Sequence, residues 1–246
     1  MKKIYNVIVI LLMSGLYIHG QSIESDRYDF PVKQGSREWA GFESIEKRIT
    51  ALQIPETVIR NISTEGLLET CLAFPYLINV FFSDNYQMGF ESLVKEFNGF
   101  SELLNRPDMT KVLLKKYESL STELTGIRLL NDVEQGRLTF RHFVLELMLA
   151  QDVTLKNLRP EQEKQLFLLS MEHGKIKDRY SDIFSNLNSV PTNLLYAKKA
   201  IGDPDFKFEN AEQKKAVLEF VQAPLAIDQR IADNIEYHVK SIYKQK

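Results

Sequence analysis

Residues Phe143-Val144-Leu145-Glu146-Leu147-Met148-Leu149 form the stretch that decides the fold, because all its side chains except that of Glu146 are apolar. A helix completes a turn in about 3.6 residues, so this run is apolar on nearly every side of a helix. Such a helix is typical of a protein interior, where other elements surround it. We therefore expect a central, buried helix here, with the flanking segments packed around it.

On both sides of this run, apolar residues recur every three or four positions, the spacing of amphipathic helices. Trp39 to Leu52 and Ile231 to Ile242 are examples. Ser36 suits an N-cap, Pro160 a first helical turn and Gly202 a helix end. Asn98-Gly99 is expected to end a helix with a left-handed residue.

This pattern predicts an all-α protein with about eleven short helices and no strand. Two arrangements satisfy it: an irregular, HEAT-like α-solenoid of stacked helix pairs, or a compact helical bundle. No repeat with a period of 30 to 50 residues is visible. Many short helices suit stacked hairpins better than a four-helix bundle, so we favour the irregular array.

The first twenty residues have the features of a secretory signal peptide: Lys2-Lys3, an apolar run from Ile4 to Leu16, and the small residue Gly20. We expect a signal peptide at 1–20, an extended arm at 21–35 and one helical domain at 36–246, in a secreted or periplasmic protein. An uncleaved N-terminal anchor is the alternative. It is disfavoured because no basic stop-transfer cluster follows, and we expect no stable membrane insertion once the leader is cleaved.

Charge and cysteine content exclude several classes. Lys+Arg 31 against Asp+Glu 33 gives a net charge of −2, and removing Lys2 and Lys3 makes it −4. A mildly acidic chain without a basic stripe is not expected to bind nucleic acid. The one cysteine, Cys71, permits no intramolecular disulfide. It lies on an apolar helical stripe, so we interpret it as a buried, inert thiol.

The sequence contains no phosphate-binding glycine loop, no nucleophile elbow and no zinc-type motif, so we predict no catalytic residues, cofactor or metal. His142 and Glu146, four residues apart, could reach one ion. A histidine at the edge of the core, hydrogen-bonded to Glu146, is the simpler interpretation. His173 is expected to cap a helix C-terminus. His238, in the last helix, is expected to pack against the apolar stripe of that helix.

Three acids, Asp203, Asp205 and Glu209, alternate in a loop and could offer oxygen ligands to Ca²⁺, but an ordinary turn explains them more simply. The acid pairs Glu65/Glu69 and Asp178/Asp182 are interpreted as solvated helix faces. Phe81-Phe82 could form a recognition surface, although core packing is the simpler interpretation.

Several segments resemble a group of uncharacterised, exported, all-helical bacterial proteins. The resemblance covers roughly Tyr28 to Leu120. It implies a helical exported domain, and because no activity is known for that group, it implies no functional site. The segments are Tyr28-Asp29-Phe30-Pro31-Val32, Gly35-Ser36-Arg37-Glu38-Trp39, Phe97-Asn98-Gly99-Phe100, Glu102-Leu103-Leu104-Asn105-Arg106 and Lys115-Lys116-Tyr117-Glu118.

These observations favour a non-catalytic secreted or periplasmic interaction or scaffold module, which would bind a protein or peptide on a concave helical face. One alternative is an envelope or extracellular hydrolase whose site has no linear motif. Another is a carrier of a small ligand or lipid. A charged pocket would favour the hydrolase, an apolar tunnel would favour the carrier, and a concave face alone would favour the interaction module.

Overall fold

The computed structural model describes residues 26–244, so the predicted signal peptide at 1–20 lies outside the described residues. Short 3-10 helices at Leu77–Phe82, Ile127–Leu129 and Asn186–Ser189 separate some of the α-helices. In chain order the α-helices are α1 (Arg37–Ala40), α2 (Ile45–Ala51), α3 (Glu56–Ile59), α4 (Thr64–Leu72), α5 (Tyr86–Glu96), α6 (Asn98–Asn105), α7 (Met109–Thr125), α8 (Asp132–Leu149), α9 (Asp152–Lys156), α10 (Pro160–Arg179), α11 (Val190–Ile201), α12 (Ala211–Gln222) and α13 (Gln229–Lys244).

The predicted central helix is α8, and its burial is confirmed. The helix begins at a capping box, in which Asn131 accepts from the Glu134 backbone and the Glu134 carboxylate accepts from the Asn131 backbone. From His142 to Leu149 every side chain is buried. The second half of α8 therefore meets protein on all sides, as an apolar run of that length requires.

The all-α class is confirmed, since the described residues form α-helices and 3-10 helices and no strand. In a solenoid each repeat contacts only its neighbours along the chain. Here α8 packs on both α7 and α11, α10 packs back on α7, and α11 packs on α13. The helix pair α7/α8 therefore stacks on the pair α10/α11, and both the irregular array and the compact bundle are compatible with these contacts.

Residues Asp26 to Phe30 form an irregular segment that lies along the start of α4. The Asp26 carboxylate accepts hydrogen bonds from the Ser63 backbone and hydroxyl, both at 2.6 Å. The Tyr28 N–H donates to Thr70 Oγ1 at 2.9 Å. Gly66 gives this segment room, since a Cβ there would collide with the Asp26 carboxylate. The segment is thus held to α4 by its polar groups and by the buried ring of Phe30.

Two predictions about helix ends were wrong. Trp39 to Leu52 is not one helix, because α1 ends at Gly41 and α2 begins after its own cap, Ser44. Asn98-Gly99 starts α6 instead of ending a helix. The Asn98 side chain donates to the Ile54 carbonyl and accepts from its N–H, so a tertiary contact replaces the expected left-handed turn. The helix starts at Ser36 and Pro160 and the helix end at Gly202 are confirmed.

None of the helices within residues 26–244 combines the length and the apolar character that crossing a bilayer requires.

We expect the Gly89→Ala variant to lose about 1–3 kcal/mol of unfolding free energy, the usual cost of overpacking. A Cβ at Gly89 would collide with the Val80 carbonyl, which belongs to the 3-10 helix packed against α5. Gly136 of α8 is the matched control because no atom lies within 4 Å of the position of its Cβ. Gly136→Ala should stabilise the helix by about 0.5–1 kcal/mol. Urea unfolding of both variants measures the contrast, and equal effects would contradict the close approach.

Candidate functional site

An open cleft of about 630 Å³ lies between the N-terminal segment, the turn after α4 and the first half of α8. This volume falls within the range of small-ligand and peptide pockets. Leu72, Phe74, Leu77 and Phe140 give the cleft an apolar lining. Its charged residues are Arg27, Arg137, Arg141 and Glu69.

The cleft has an excess of positive charge. Glu69 is its one acidic lining residue, and the two oxygens of this carboxylate already bind Lys116 at 2.7 Å and Arg141 at 2.8 Å. Arg27 and Arg137 form no ion pair with the described part of the chain, and both are exposed. Two guanidinium groups thus remain available beside an apolar surface, an arrangement that favours carboxylate or phosphate ligands.

The cleft continues in both directions. At one end it shares Arg27, Gln34, Ala73 and Pro75 with a depression of about 230 Å³ beneath the N-terminal segment. At the other it shares Arg137 with a depression of about 560 Å³ at the start of α8. Two exposed apolar residues, Ile78 and Val133, line this route. The result is an elongated groove with apolar and cationic positions at its centre and the acidic residues Asp29, Asp132 and Glu134 in its end depressions.

A second, separate site lies inside the protein, where four helices place polar side chains around Glu146 of α8. Glu146 Oε1 accepts from the Tyr117 hydroxyl at 2.7 Å. Its Oε2 accepts from Lys177 Nζ at 2.6 Å and from the Thr192 hydroxyl at 2.9 Å. Lys177 also donates to Thr192 and to the Asn188 carbonyl. The carboxylate and the ammonium are therefore both satisfied without water, as a buried ion pair requires.

Two histidines adjoin this ion pair. His142 Nε2 lies 3.0 Å from His173 Nδ1, and His173 Nε2 lies 2.8 Å from Ser121 Oγ. His142 Nδ1 is buried without a hydrogen-bond partner among the described residues. An unpaired lone pair costs less than an unpaired buried N–H. We therefore assign the proton of His142 to Nε2. His142 Nε2 then donates to His173 Nδ1, and His173 Nε2 donates to Ser121 Oγ.

This proton arrangement does not activate Ser121 as a nucleophile. Activation requires a histidine that accepts the hydroxyl proton, whereas the assigned tautomer donates to Ser121. Burial and, to a smaller extent, the neighbouring His142 lower the pKa of His173 to about 3. Ser121 also lies inside α7, where the backbone N–H groups are engaged in helix bonds. The geometry gives no support to a serine hydrolase mechanism.

Burial also shifts the other groups of the cluster. It lowers the pKa of His142 well below its usual value, and the positive charge of Lys177 acts in the same direction. It raises the pKa of the Tyr117 phenol, as does the adjacent Glu146 charge. It lowers the pKa of Lys177, against the opposing effect of Glu146. The histidines are thus held neutral, with both rings able to offer a lone pair.

The structure corrects the interpretation of two histidines. His142 is at the centre of the core instead of its edge, and its Nε2 lies 3.6 Å from Glu146 Oε1, too far for a hydrogen bond. His173 does not cap a helix end, because it lies inside α10 with its ring fully buried. His238 contacts the ring of Phe206 and lies 3.1 Å from Asp203.

Other candidate residues are placed as follows. Cys71 is buried, and burial raises the pKa of its thiol, in keeping with an inert role. Asp203 accepts from the Asp205 backbone and faces His238, whereas Glu209 bonds Asn234, so the three loop acids are not brought to one point. Phe81 packs on Phe143, but Phe82 is 78% exposed, so core packing holds for only one of the pair.

Sequence reasoning missed the arginines of the cleft and the partners of Glu146. Arg27 and Arg137 are more than 100 positions apart, and nothing in their local sequence marks them. Lys177 did carry a signal, since it follows His173 by four residues and therefore shares its face of α10. The same spacing joins His142 to Glu146. Two polar pairs on otherwise buried faces are the pattern that could have indicated a polar cluster.

Comparison with family models, with curated protein sequences and with solved structures finds no match to this chain. The suggested resemblance to exported bacterial proteins therefore stays a prediction. Fold and sites together define an all-helical protein with a cationic surface groove and a separate, fully enclosed cluster of two histidines and an ion pair.

Proposed function

We propose that this protein is a non-catalytic binding module of the secreted or periplasmic space that holds an acidic peptide segment of a partner protein in the groove. The observation that carries the proposal is the position of Arg27 and Arg137, which lie beside an apolar lining and form no ion pair within the described chain. Arginine forms planar, bidentate hydrogen bonds with carboxylates and is often a dominant contributor to interface affinity.

A peptide fits the groove better than a compact ligand because the cleft continues past both arginines into neighbouring depressions. An extended chain advances about 3.3 Å per residue and could therefore meet several of these positions in succession. Its carboxylates would bind the guanidinium groups. An apolar side chain between them would cover the exposed Ile78 and the partly buried Phe140, which line the cleft.

The direct test is fluorescence anisotropy with a labelled polyglutamate peptide that carries one central phenylalanine. We expect Arg137→Gln to weaken binding about tenfold, which corresponds to roughly 1.4 kcal/mol for one lost charge-assisted contact. Affinity should also fall with added salt, because the arginines are exposed.

Arg230→Gln is the matched control for this measurement. Arg230 is an exposed arginine of α13, and its side chain is 93% accessible. This variant should bind as the unmodified protein does, and a peptide with glutamine in place of glutamate should bind weakly to both. Equal losses in the two variants, or equal binding of the glutamine peptide, would mean that the groove does not select acidic segments.

A further inference from the structure

We infer that the buried cluster is a binding site for a divalent transition-metal ion of the zinc type, with His142, His173 and Glu146 as its protein ligands. This site is separate from the surface groove, so the inference is independent of the proposed peptide binding. One ligand atom from each of the three residues lies within 4.8 Å of the others. Two imidazoles and one carboxylate are a donor set that zinc favours.

The spacing of the donor atoms supports a common ion. Ligands bound at about 2.0–2.1 Å to a tetrahedral ion lie roughly 3.3 Å from one another. His142 Nε2 and His173 Nδ1 are 3.0 Å apart, and His142 Nε2 and Glu146 Oε1 are 3.6 Å apart. Binding an ion there requires the His142 proton to move from Nε2 to Nδ1, together with small rotations of the two rings, so that His142 Nε2 and His173 Nδ1 both present lone pairs to the ion. The Tyr117 hydroxyl, 2.7 Å from Glu146 Oε1, is the adjacent candidate for a fourth ligand.

The surrounding groups hydrogen-bond to these side chains and orient them, as the groups around the ligands of known metal sites do. Ser121 Oγ contacts His173 Nε2, the ring nitrogen that does not face His142. Thr192 and Lys177 hold the second oxygen of Glu146, which leaves Oε1 directed toward the histidines. His142 and Glu146 occupy one face of α8, and His173 comes from α10. The donor set thus comes from two helices that both pack on α7.

Lys177 is the group that opposes a cation here, since its ammonium lies 2.6 Å from Glu146. This opposition provides a specific test. In Lys177→Met the carboxylate loses its countercharge, and a bound ion would replace that charge. We expect Co²⁺ to raise the melting temperature of Lys177→Met by more than it raises that of the unmodified protein. A merely structural ion pair gives no such gain.

The primary experiment uses the full chain without a histidine tag, refolded from urea with Co²⁺ so that the ion can enter the enclosed site. We expect visible absorption bands of tetrahedral cobalt, one ion per chain, and displacement by Zn²⁺ but not by Mg²⁺. His142→Gln and His173→Gln should each weaken Co²⁺ binding by more than the roughly 10–100-fold that is lost when a hydrogen-bond partner of a metal ligand is changed. His238→Gln is the control, because His238 and Asp203 form a partly exposed pair that could bind an ion adventitiously.

If the histidine variants do not fold, X-ray absorption fine structure of the zinc-loaded unmodified chain decides the question, with imidazole scattering from two histidines as the expected result. The inference is overturned if the refolded protein shows no tetrahedral cobalt bands and no imidazole scattering. It is also overturned if His238→Gln alone abolishes binding, or if Co²⁺ fails to stabilise Lys177→Met.

Discussion

Replacing Glu146 with glutamine is expected to lower the free energy of unfolding by about 3–5 kcal/mol, the usual cost of removing one partner from a buried ion pair. Glutamine keeps the volume but removes the charge, so the Lys177 ammonium would remain in the core without a countercharge. The side-chain amide would also present N–H groups to donors such as the Tyr117 hydroxyl. Urea unfolding at neutral pH, followed by circular dichroism, measures the change.

Glu219→Gln provides the comparison for this prediction. Glu219 pairs with Lys215 at 3.7 Å on the surface of α12, and both side chains are largely exposed. Removing the charge of Glu219 should lower the free energy of unfolding by less than about 1 kcal/mol. Combining Glu146→Gln with Lys177→Met should recover much of the lost stability, because neither charge then remains buried. A cost for Glu146→Gln as small as that for Glu219→Gln would contradict the buried ion pair.

Phe97→Ala is expected to cost about 3–5 kcal/mol, the range for removing a large aromatic side chain from a core. The Phe97 ring is fully buried and stacks on Phe74 with their centroids 4.3 Å apart. It also contacts Phe30, at 5.8 Å between centroids. The substitution therefore leaves a cavity beneath the N-terminal segment, and trypsin cleavage after Arg27 should become faster.

Phe82→Ala is the matched control for this second prediction. Phe82 has the same side chain but is 78% exposed, so its truncation should change stability by no more than about 0.5 kcal/mol. Thermal unfolding and timed trypsin digestion compare the two variants. If Phe97→Ala leaves the cleavage rate after Arg27 unchanged, the segment is not held by the aromatic cluster.

Local signals predicted those parts of the fold that depend on local physics. The apolar run in α8, the cap at Ser36 and the stop at Gly202 depend only on residues within a few positions. Asn98 shows where this reasoning fails. Its side chain bonds the backbone of Ile54, more than 40 positions away, and that contact decides that a helix begins there.

The candidate sites were less predictable than the fold. His142 and Glu146 were recognised as a pair, but their actual partners, His173 and Lys177, lie on α10. Spacing along one helix indicates which residues share a face, and it says nothing about which face of another helix lies opposite. The cleft has the same difficulty, since Arg27 and Arg137 meet only when the N-terminal segment lies beside α8.

The order in which the partners of Glu146 are synthesised determines when the core around this residue can close. Tyr117 and Glu146 leave the ribosome first, Lys177 follows and Thr192 comes last. Until Lys177 arrives, the Glu146 carboxylate has no countercharge and must stay hydrated, which keeps the interior open. A nascent fragment that ends before α10 is therefore expected to leave the core around Glu146 open, and closure of that part waits for the C-terminal third of the chain.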